Sequence, residues 1–302
     1  MFIQKKFTIF TMERGKRDMA GTLYLCATPI GNLDDMTLRV LKILEHADVI
    51  AAEDTRNTLK LLNHFEIKTP LTSYHEHNKI QKGIQLIERL QNGENIALVT
   101  DAGMPGISDP GADLVKLCYE ADIPVTVAPG ASAAVVALVL SGMDTRRFVF
   151  EGFLPAEKKE RRQVLETLAT EHRTMIFYEA PHRLCSTLEE LAQVFGKQRQ
   201  MAAIRELTKK FEEVRRGTVA ELITYYTEHT PKGEFVLVFA GYTLAEQKQA
   251  KQQSWESISI EAHMQQYVSQ GMSEKEAMKQ TAKDRGVSKR DIYQYLHQYK
   301  NQ

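Results

Sequence analysis

Short apolar runs alternate with amphipathic segments along the first half of the chain. Most runs are rich in Val, Ile, Leu and Ala, and each precedes a segment with the apolar spacing of a helix. Strands of a parallel sheet give near-continuous apolar runs because helices cover both faces of the sheet. The pattern predicts strands at residues 22–28, 48–54, 70–74, 95–101 and 124–129. Helices are predicted at residues 34–47, 55–65, 76–91, 111–121 and 132–141.

A second series of strands and helices begins at Phe148, after a predicted hinge at residues 142–147. Strands are predicted at residues 148–153, 174–179, 201–206 and 234–241. Helices are predicted at residues 157–169, 181–195 and 219–227. Alternation of strands and helices is typical of α/β domains. We therefore predict two α/β domains, at residues 21–143 and 144–243.

The C-terminal segment has a different pattern, with a polar linker predicted at residues 244–257 and a helical module at 258–302. Its three helices are predicted at residues 259–270, 273–285 and 288–299. Ser273 and Ser288 each have an acid three positions later, which is the spacing of a capping box. A helix-turn-helix needs a small residue at the helix contact, a tight turn and two buried apolar anchors. Ala282, Gly286 and the pair Ile292 and Leu296 match these positions in turn. The module is interpreted as helix-turn-helix-like, and either nucleic-acid binding or packing and dimerisation suits it equally.

The composition is that of a globular protein without net charge. Its 302 residues suit two or three domains. Lys plus Arg equals Asp plus Glu at 39 each, so nucleic-acid binding requires local basic clusters. No run approaches the ~18 apolar residues of a membrane span, and residues 1–20 are predicted to be a disordered tail rather than a signal peptide. Three scattered cysteines, Cys26, Cys118 and Cys185, favour a reducing cytoplasm.

Three of the predicted strands end in loops that combine Gly or Pro with polar side chains. These loops comprise residues 28–34, 100–111 and 128–133. The carboxyl ends of strands in a doubly wound sheet form the ligand crevice, and Gly permits close approach of the backbone to a ligand. Three such loops in one series predict a small-molecule site rather than three ordinary turns.

The residues of these loops restrict the chemistry of the ligand. No GxGxxG fingerprint is present, and residues 106–111 have phosphate-loop spacing but are followed by Ala112 and Asp113 instead of Lys and Ser or Thr. The loops are also poor in Lys and Arg, which argues against a polyphosphate. Asp101 and Asp109 favour a ligand that is cationic or rich in hydroxyls, and an adenosyl sulfonium meets both conditions.

The loops belong to longer motifs that carry a family resemblance. The segments occur in the order LYLCATPIGNLDDMTLRVL, AAEDTRNT, LTSYHEHN, VTDAGMPGISDPG, APGASA, EGFLP, FYEAPHR and IRELTKKFEEVRRGT. They resemble the tetrapyrrole-methylase-like, or class III, methyltransferases, in the branch that acts on ribosomal RNA. The first loop, residues 28–32, lacks the GxGPGD pattern of the tetrapyrrole branch. The resemblance spans Thr22 to about Gly241, and the C-terminal module is similar to an extra domain of the ribosomal branch.

The resemblance implies a fold, a cofactor and a reaction. It implies two α/β domains with S-adenosylmethionine in the cleft between them, and a homodimer. It also implies 2′-O-methylation of a cytidine ribose in the decoding region of 16S ribosomal RNA, so the small ribosomal subunit is the expected partner. By motif, the expected cofactor-binding residues are Pro29, Gly31, Asp101, Gly103, Ser108, Ala131, Ser132, Glu179, Ala180, Leu207 and Thr208.

Methyl transfer to a hydroxyl is an in-line displacement, to which positioning contributes strongly and a general base adds. The catalytic candidates are the charged residues Glu53, Asp54, Arg56 and Arg183. The alternatives are a helix N-cap for Asp54, with Arg56 as its partner, and a surface ion pair for Arg183. His75 and His77 have no third ligand in the pattern, so no metal site is predicted.

Basic clusters follow strands of the second domain, and one more lies in the last predicted helix. RNA contacts are predicted for Lys158, Lys159, Arg161, Arg162, Lys209, Lys210, Arg215, Arg216, Lys289 and Arg290. Each neutralised phosphate adds affinity and salt dependence. Acidic residues are interleaved with these cations, so a solvated helix face is the alternative.

Two other functions are weighed against the RNA methyltransferase. A methylase acting on a tetrapyrrole is disfavoured by the C-terminal module and the basic clusters. A non-catalytic ribosome-binding factor is disfavoured by the complete set of cofactor loops. Methyl incorporation into RNA separates these possibilities.

Overall fold

The polypeptide forms two five-stranded sheets and a C-terminal unit of three helices. This computed structural model describes residues 20–243, Trp255 and residues 258–300. The predicted tail lies outside the described residues except for Ala20, and the predicted linker does so except for Trp255. The predicted α/β fold class with an added all-α unit is confirmed. In the described part of the chain, no helix has the length and apolar character needed to cross a membrane.

The first sheet is parallel throughout and has the strand order β3-β2-β4-β1-β5. Its strands are β1 (Leu23–Cys26), β2 (Val49–Ala52), β3 (Leu71–Ser73), β4 (Ile96–Val99) and β5 (Val125–Ala128). The helices are α1 (Leu38–His46), α2 (Thr55–His64), α3 (Lys79–Gln91), α4 (Gly111–Glu120) and α5 (Ala133–Ser141). Each of these strands and helices lies within its predicted range, so this part of the prediction is confirmed.

Helices cover both faces of the first sheet, which explains its near-continuous apolar strands. On one face, Leu86 of α3 and Leu114 of α4 pack against Leu98 of β4. On the other face, Val40 of α1 and Leu62 of α2 pack with the apolar side chains of β2 and β4. These side chains are fully or almost fully buried, and each stabilises the fold by about 1.5–3 kcal/mol relative to exposure.

The parallel arrangement brings the carboxyl ends of all five strands to one edge of the first sheet. Thr28, Glu53, Thr100 and Pro129 follow β1, β2, β4 and β5 at this edge, and Tyr74 follows β3. The polar and Gly-rich loops of the sequence therefore face a common space, as the rule for open α/β sheets requires.

The second sheet is mixed, with the strand order β6-β7-β10-β8-β9. Its strands are β6 (Phe148–Phe153), β7 (Thr174–Glu179), β8 (Gln200–Arg205), β9 (Glu213–Thr218) and β10 (Phe235–Phe239). Its helices are α6 (Lys158–Leu168), α7 (Leu184–Phe195) and α8 (Val219–Glu228). Strands β6 and β7 pair in parallel, whereas β10 pairs antiparallel with β7 and β8, and β9 pairs antiparallel with β8.

Strand β9 is absent from the sequence-based prediction. Its sequence, EVRRGT, has no apolar alternation, and its residues are half-buried or exposed. An edge strand needs one hydrogen-bonded neighbour and little apolar burial, so a charged sequence is compatible with it. Arg215 and Arg216 therefore lie on a strand, whereas Lys209 and Lys210 precede it.

Helix α5 links the two sheets by its packing. It follows β5 in the chain, yet Ala137 and Leu138 are buried against Ile176 of β7 and Val238 of β10. The predicted domain limits, with a boundary after residue 143, stay a prediction, because α5 packs with the second sheet.

The C-terminal unit consists of α9 (Ile260–Ser269), α10 (Glu274–Arg285) and α11 (Lys289–Lys300). Both expected capping boxes form, since Ser273 with Glu276 and Ser288 with Asp291 exchange reciprocal hydrogen bonds. Gly286 ends α10 with a φ of 65°, in the left-handed region that favours glycine. The three predicted helices are thus confirmed.

The interior of this unit combines apolar anchors with a polar cluster. Ala282 and Ile292 are 4% and 0% exposed. His263 is fully buried, stacks on Trp255 with ring centroids 3.8 Å apart, and accepts a hydrogen bond from Arg285 Nε at 3.2 Å. Burial lowers the pKa of His263, and the charge of Arg285 acts in the same direction.

A pH dependence of stability follows from the ion pair of Glu171 and Arg173 just before β7. The Arg173 side chain donates two hydrogen bonds to the carboxylate, at 2.9 and 2.7 Å. These bonds lower the pKa of Glu171 to about 2, below the ~4.3 of an unfolded chain. A lowered folded-state pKa adds stability that is complete above about pH 4.3 and is lost as the pH falls through about 2.

We therefore expect Arg173→Ala to lower the free energy of unfolding near neutral pH and to differ little from the wild type near pH 2. Urea unfolding at a series of pH values measures this difference. Arg162→Ala is the control, because the Arg162–Glu166 pair is 73% and 57% exposed and such pairs contribute little at any pH. A wild-type-to-Arg173→Ala difference that is constant with pH would contradict the assignment.

Candidate active site

A cleft of about 390 Å³ opens between the two sheets at the carboxyl edge of the first sheet. This volume lies in the range of roughly 300–1,000 Å³ that small-molecule sites occupy. The lining residues are Ile30, Glu53, Thr100, Asp101, Ala102, Gly103, Met104, Ile107, Ser108, Asp109, Ser132, Ala133, Phe153, Tyr178, Glu179, Ala180, Pro181, Ile204, Leu207, Glu234, Phe235 and Val236.

The loop after β4 forms one wall of the cleft, and Asp109 holds it in shape. The Asp109 carboxylate accepts hydrogen bonds from the backbone amides of Gly106, Ile107 and Gly111, at 2.7 to 3.2 Å. Ser108 has a φ of 63°, a conformation that costs a non-glycine residue energy and that the surrounding bonds must maintain. Asp109 lines the cleft and its oxygens hold the loop backbone, so its contact with a ligand stays a prediction.

Glu53 and Asp101 bring two further carboxylates into the cleft from the ends of β2 and β4. Glu53 Oε2 accepts a hydrogen bond from Thr100 Oγ1 at 2.7 Å. Asp101 accepts hydrogen bonds from the Asp54 amide at 3.2 Å and from Asn57 Nδ2 at 3.3 Å. Burial raises the pKa of Asp101, and the bond from Asn57 opposes this shift. A carboxylate with a raised pKa is a better proton acceptor.

The end of β7 is fixed by the buried carboxylate of Glu179. Its oxygens accept hydrogen bonds from the Ala180 amide at 2.8 Å and from Thr187 Oγ1 at 2.6 Å, and Arg183 Nε lies 3.4 Å away. Arg183 also donates to the carbonyl of Leu154 at 3.1 Å. This network holds the backbone after β7 in the cleft wall.

The second sheet contributes an apolar row that crosses three strands. Tyr178 of β7, Val236 of β10 and Ile204 of β8 are register neighbours and all line the cleft. Tyr178 also contacts Phe153, with ring centroids 5.4 Å apart, and its hydroxyl accepts a hydrogen bond from the Ala134 amide at 3.2 Å. The row therefore joins the second sheet to the start of α5.

The two halves of the cleft meet where Gly31 lies against the loop at residues 206–212. A side-chain carbon at Gly31 would lie 2.4 Å from Lys209 Cγ and 2.9 Å from the Leu207 carbonyl oxygen. Such contacts leave no room for a side chain, so glycine is required here. Thr208 has a φ of 64°, and this strained loop places Leu207 in the cleft.

Most of the predicted cofactor residues are brought together by this structure. The cleft is lined by Asp101, Gly103, Ser108, Ser132, Glu179, Ala180 and Leu207. Pro29 lines a smaller neighbouring cavity, Gly31 and Thr208 lie at the junction of the halves, and Ala131 packs with the residues around α5. Contact of each of these residues with a cofactor stays a prediction.

Sequence reasoning missed the apolar side of the cleft. Tyr178, Val236 and Ile204 lie in strands that were correctly predicted, but no motif marked them as site residues. Their common position depends on the antiparallel register of β7, β10 and β8, which pairs residues far apart in the chain. Thr100 lies in the predicted loop at residues 100–111, and its position directly before Asp101 is the signal that could have marked it as a site residue.

The catalytic candidates of the first domain have different environments. Asp54 caps α2 by accepting a hydrogen bond from the Arg56 amide at 2.8 Å, and it pairs with the Arg56 side chain at 2.7 Å. Hydrogen bonds from Arg56 lower the pKa of Asp54 to about 2, which makes it a weak proton acceptor near neutral pH. These contacts favour the capping alternative for both residues. Glu53 lines the cleft, and catalytic roles for these residues and Arg183 stay predictions.

The first predicted RNA cluster is divided between exposed and engaged cations. Lys158 and Lys159 are exposed at the start of α6. Arg161 is largely buried and donates to both carboxylate oxygens of Glu190, at 2.8 and 2.7 Å. Arg162 pairs with a glutamate one turn later on the same helix. RNA contact by these residues stays a prediction, and the geometry favours a structural role for Arg161.

The second predicted cluster is also mostly engaged. Lys209 pairs with two glutamates, and Arg215 lies 3.4 Å above the ring of Tyr225 while pairing with Glu213. Arg216 donates to the carbonyl oxygens at the end of α5. Lys210 is exposed beside the ring of Phe211, and Lys289 and Arg290 are exposed at the start of α11.

The described residues contain no group of three or more His, Cys, Asp or Glu side chains that could hold a metal ion. His75 and His77 lie with ring centroids 6.0 Å apart.

The fold consists of a parallel sheet and a mixed sheet, with a cleft between them at the carboxyl ends of the parallel strands. These features define the class of protein as one with a methylase fold. Residues 22–223 match the family model of the Tetrapyrrole (Corrin/Porphyrin) Methylases. The chain belongs to this family.

Close relatives define the branch within the family. The chain is 52% identical over 283 residues to "Ribosomal RNA small subunit methyltransferase I" of Halalkalibacterium halodurans, covering 94% of this chain and 97% of that protein. The protein of the same name from Bacillus subtilis is 50% identical over 283 residues, with 94% and 96% covered. The chain therefore belongs to the ribosomal RNA small subunit methyltransferase I group of the family.

A solved structure agrees at the level of the fold. The uroporphyrin-III-C-methyltransferase of Thermus thermophilus superposes with a TM-score of 0.51 at 22% identity, covering 72% of this chain and 94% of that one. This similarity shows a shared fold of the two-sheet region.

Proposed function

We propose that this protein is an S-adenosylmethionine-dependent methyltransferase of small-subunit ribosomal RNA. In finer detail, it transfers a methyl group to the ribose 2′-hydroxyl of a cytidine in the decoding region of 16S ribosomal RNA. The observation that carries the proposal is the make-up of the cleft, whose described lining includes several carboxylates and no Lys or Arg. The names of relatives about half identical over nearly the whole chain support the RNA substrate.

The residues of the cleft fit S-adenosylmethionine. The apolar row of Tyr178, Val236 and Ile204 suits a planar adenine ring, and the carboxylate of Glu53 suits a sulfonium charge or ribose hydroxyls. Gly103 has a φ of 83°, so the backbone at this point approaches the cleft without a side chain. A polyphosphate ligand would need cations that the described lining lacks.

The chemistry requires alignment and a proton acceptor. When bound, S-adenosylmethionine supplies an electrophilic methyl group on its sulfonium sulfur. The bond from the ribose oxygen to the methyl carbon forms as the carbon–sulfur bond breaks, and sulfur keeps the electron pair. Fixed alignment between the two sheets contributes up to ~7–11 kcal/mol. Asp101 takes the hydroxyl proton in this proposal, because its carboxylate lines the cleft and burial raises its pKa.

RNA contact is proposed for the members of the predicted basic set that are exposed and that make no ion pair or carbonyl contact among the described residues. These are Lys158, Lys159, Lys210, Lys289 and Arg290. The remaining members are engaged with carboxylates or carbonyl groups, and a structural role is proposed for Arg161, Lys209, Arg215 and Arg216. Because ribosomal subunits are the substrate, the reaction is placed in the cytoplasm.

Methyl transfer from labelled S-adenosylmethionine tests the function. The substrates are small ribosomal subunits and naked 16S ribosomal RNA from cells that lack the enzyme, and the modified nucleotide is then mapped. Label on one cytidine ribose supports the proposal and shows which particle is methylated. Donor binding without transfer to either RNA substrate, or transfer to a tetrapyrrole instead, contradicts it.

We also propose a homodimer, supported by an exposed apolar face. Val135 and Val139, which lie four residues apart on one face of α5, are 51% and 66% exposed. An apolar face of this kind is typical of a protein–protein interface.

Val139→Asp is expected to weaken the dimer at least about tenfold, which is ~1.4 kcal/mol, because it buries a charge in the interface. Sedimentation equilibrium measures the change. Ile84→Asp on α3 is the matched control, since Ile84 is 56% exposed on another helix. Dissociation by the control and not by Val139→Asp would place the interface elsewhere.

A further inference from the structure

A second cavity of about 240 Å³ lies beside the main cleft. Thr100 and Asp101 line both cavities, so the two cavities meet at this dipeptide. The other side of the second cavity is formed by the first loop and by α2, through residues that include Leu33, Asn57 and Lys60.

Hydrogen bonds hold Thr100 and Asp101 in place. Thr28 Oγ1 donates to the Thr100 carbonyl at 3.1 Å, and Thr100 Oγ1 donates to Glu53 at 2.7 Å. Thr28 and Thr100 are 4% and 7% exposed. Asn57 Nδ2 donates to Asp101 Oδ2 at 3.3 Å from the side of the second cavity. The position of the Asp101 carboxylate is therefore set before any ligand binds.

Lys60 gives the second cavity a cation that the main cleft lacks. Asn57 and Lys60 are three residues apart on α2, so they lie on the same side of the helix. Lys60 is exposed, and among the described residues no carboxylate pairs with it. Lys209, by contrast, is held by two glutamates. Leu33 and Leu61 add apolar surface beside Lys60.

We propose that the second cavity binds the target nucleotide of the RNA, with its ribose towards Asp101. This assignment rests on the proposed function. Lys60 pairs with a phosphate of the nucleotide, and Leu33 and Leu61 contact its sugar or base. Asn57 orients the Asp101 carboxylate. The cavity suits a single nucleoside, whereas a tetrapyrrole macrocycle is much larger.

The arrangement places the methyl donor and the methyl acceptor next to each other, both beside the Asp101 carboxylate, where the two cavities meet. The ribose 2′-oxygen forms its bond to the methyl carbon, and the bond between that carbon and sulfur breaks with its electron pair left on sulfur. The hydroxyl proton goes to an Asp101 oxygen. Asn57 is a positioning residue in this scheme, because it acts through Asp101.

Two variants and a matched control test the assignment. Lys60→Glu and Asn57→Ala are compared with Lys116→Glu, whose lysine is 77% exposed on α4, a helix that packs on the opposite face of the first sheet. The substrate is small ribosomal subunits that lack the modification. KM and kcat for methyl transfer are measured with this substrate, and the Kd of S-adenosylmethionine is measured by calorimetry.

Lys60→Glu is expected to raise the KM for the RNA substrate about tenfold or more and to reduce the salt dependence of KM by roughly one phosphate contact. Asn57→Ala is expected to lower kcat and to shift the pH profile of kcat, since it removes a hydrogen bond to the Asp101 carboxylate. Neither variant should change the Kd of S-adenosylmethionine by more than about twofold, or ~0.4 kcal/mol. Lys116→Glu should behave as the wild type.

Two results would overturn the assignment while leaving the proposed function intact. The first is a wild-type protein that methylates RNA while the Lys60→Glu and Lys116→Glu variants have the same KM for the RNA substrate. The other is a Kd of S-adenosylmethionine that rises in parallel with KM, which would place Lys60 in the donor site. A wild type that transfers no methyl group to RNA overturns the proposed function itself.

Discussion

Replacing Asp101 with asparagine is expected to lower kcat for methyl transfer by ~10²–10⁴-fold, the usual contribution of a general base. Asparagine keeps the size of the side chain and an oxygen that accepts the bond from the Asp54 amide, but it cannot take the hydroxyl proton. The Kd of S-adenosylmethionine should change much less than kcat. Single-turnover kinetics and calorimetry measure the two quantities.

The pH profile provides an independent measurement of the same role. Transfer requires ionised Asp101, so kcat should fall as the pH is lowered through the pKa of this group, which burial raises above its ordinary value. Asp113→Asn is the control, because Asp113 is about half exposed and pairs with Lys79 on the surface. Equal losses in kcat and in donor affinity would mean that Asp101 binds the donor rather than the proton.

Replacing Gly31 with alanine is expected to weaken binding of S-adenosylmethionine by about 10- to 100-fold, or ~1.4–2.8 kcal/mol. The added carbon would meet Lys209 Cγ at 2.4 Å and the Leu207 carbonyl at 2.9 Å. The flexible lysine moves easily, but the backbone of Leu207 does not. The two halves of the cleft would separate, and Leu207 would leave its position in the lining.

Gly196→Ala separates this effect from backbone strain. Gly196 has a φ of 87°, and a side-chain carbon there would meet no atom within 4 Å. Its substitution carries the cost of an alanine at positive φ, roughly 1–3 kcal/mol of stability, without a clash. Calorimetry of donor binding and thermal unfolding of both variants distinguish the cases. Equal donor affinity in Gly31→Ala and the wild type would refute the role of this contact.

The first sheet is the part of the fold that local sequence predicts best. Strands β2 and β4 are buried on both faces, so their apolar runs are continuous and stand out from the helices around them. The second sheet is less regular. Strand β9 pairs at an edge and carries Arg215 and Arg216 on half-buried or exposed positions, so no apolar pattern marks it.

In the candidate site, too, local sequence predicts some features and not others. The loops after β1 and β4 were predicted from Gly, Pro and Asp in short segments, and Asp101 and Gly103 do line the cleft. Asp109 was placed correctly in its loop, but the direction of its carboxylate depends on the backbone amides of Gly106 and Gly111. A residue type at a loop position does not determine which partner it binds.

The sequence by itself determined which segments are strands and helices in the first sheet, where the glycine loops fall, and which family the chain resembles. These properties depend on burial patterns and motifs within short stretches of chain. Only the tertiary structure decided that Tyr178, Val236 and Ile204 form one row, and that two cavities meet at Thr100 and Asp101. The physical reason is that strand register and the packing of α5 bring together residues far apart in the chain, and no local pattern encodes that contact.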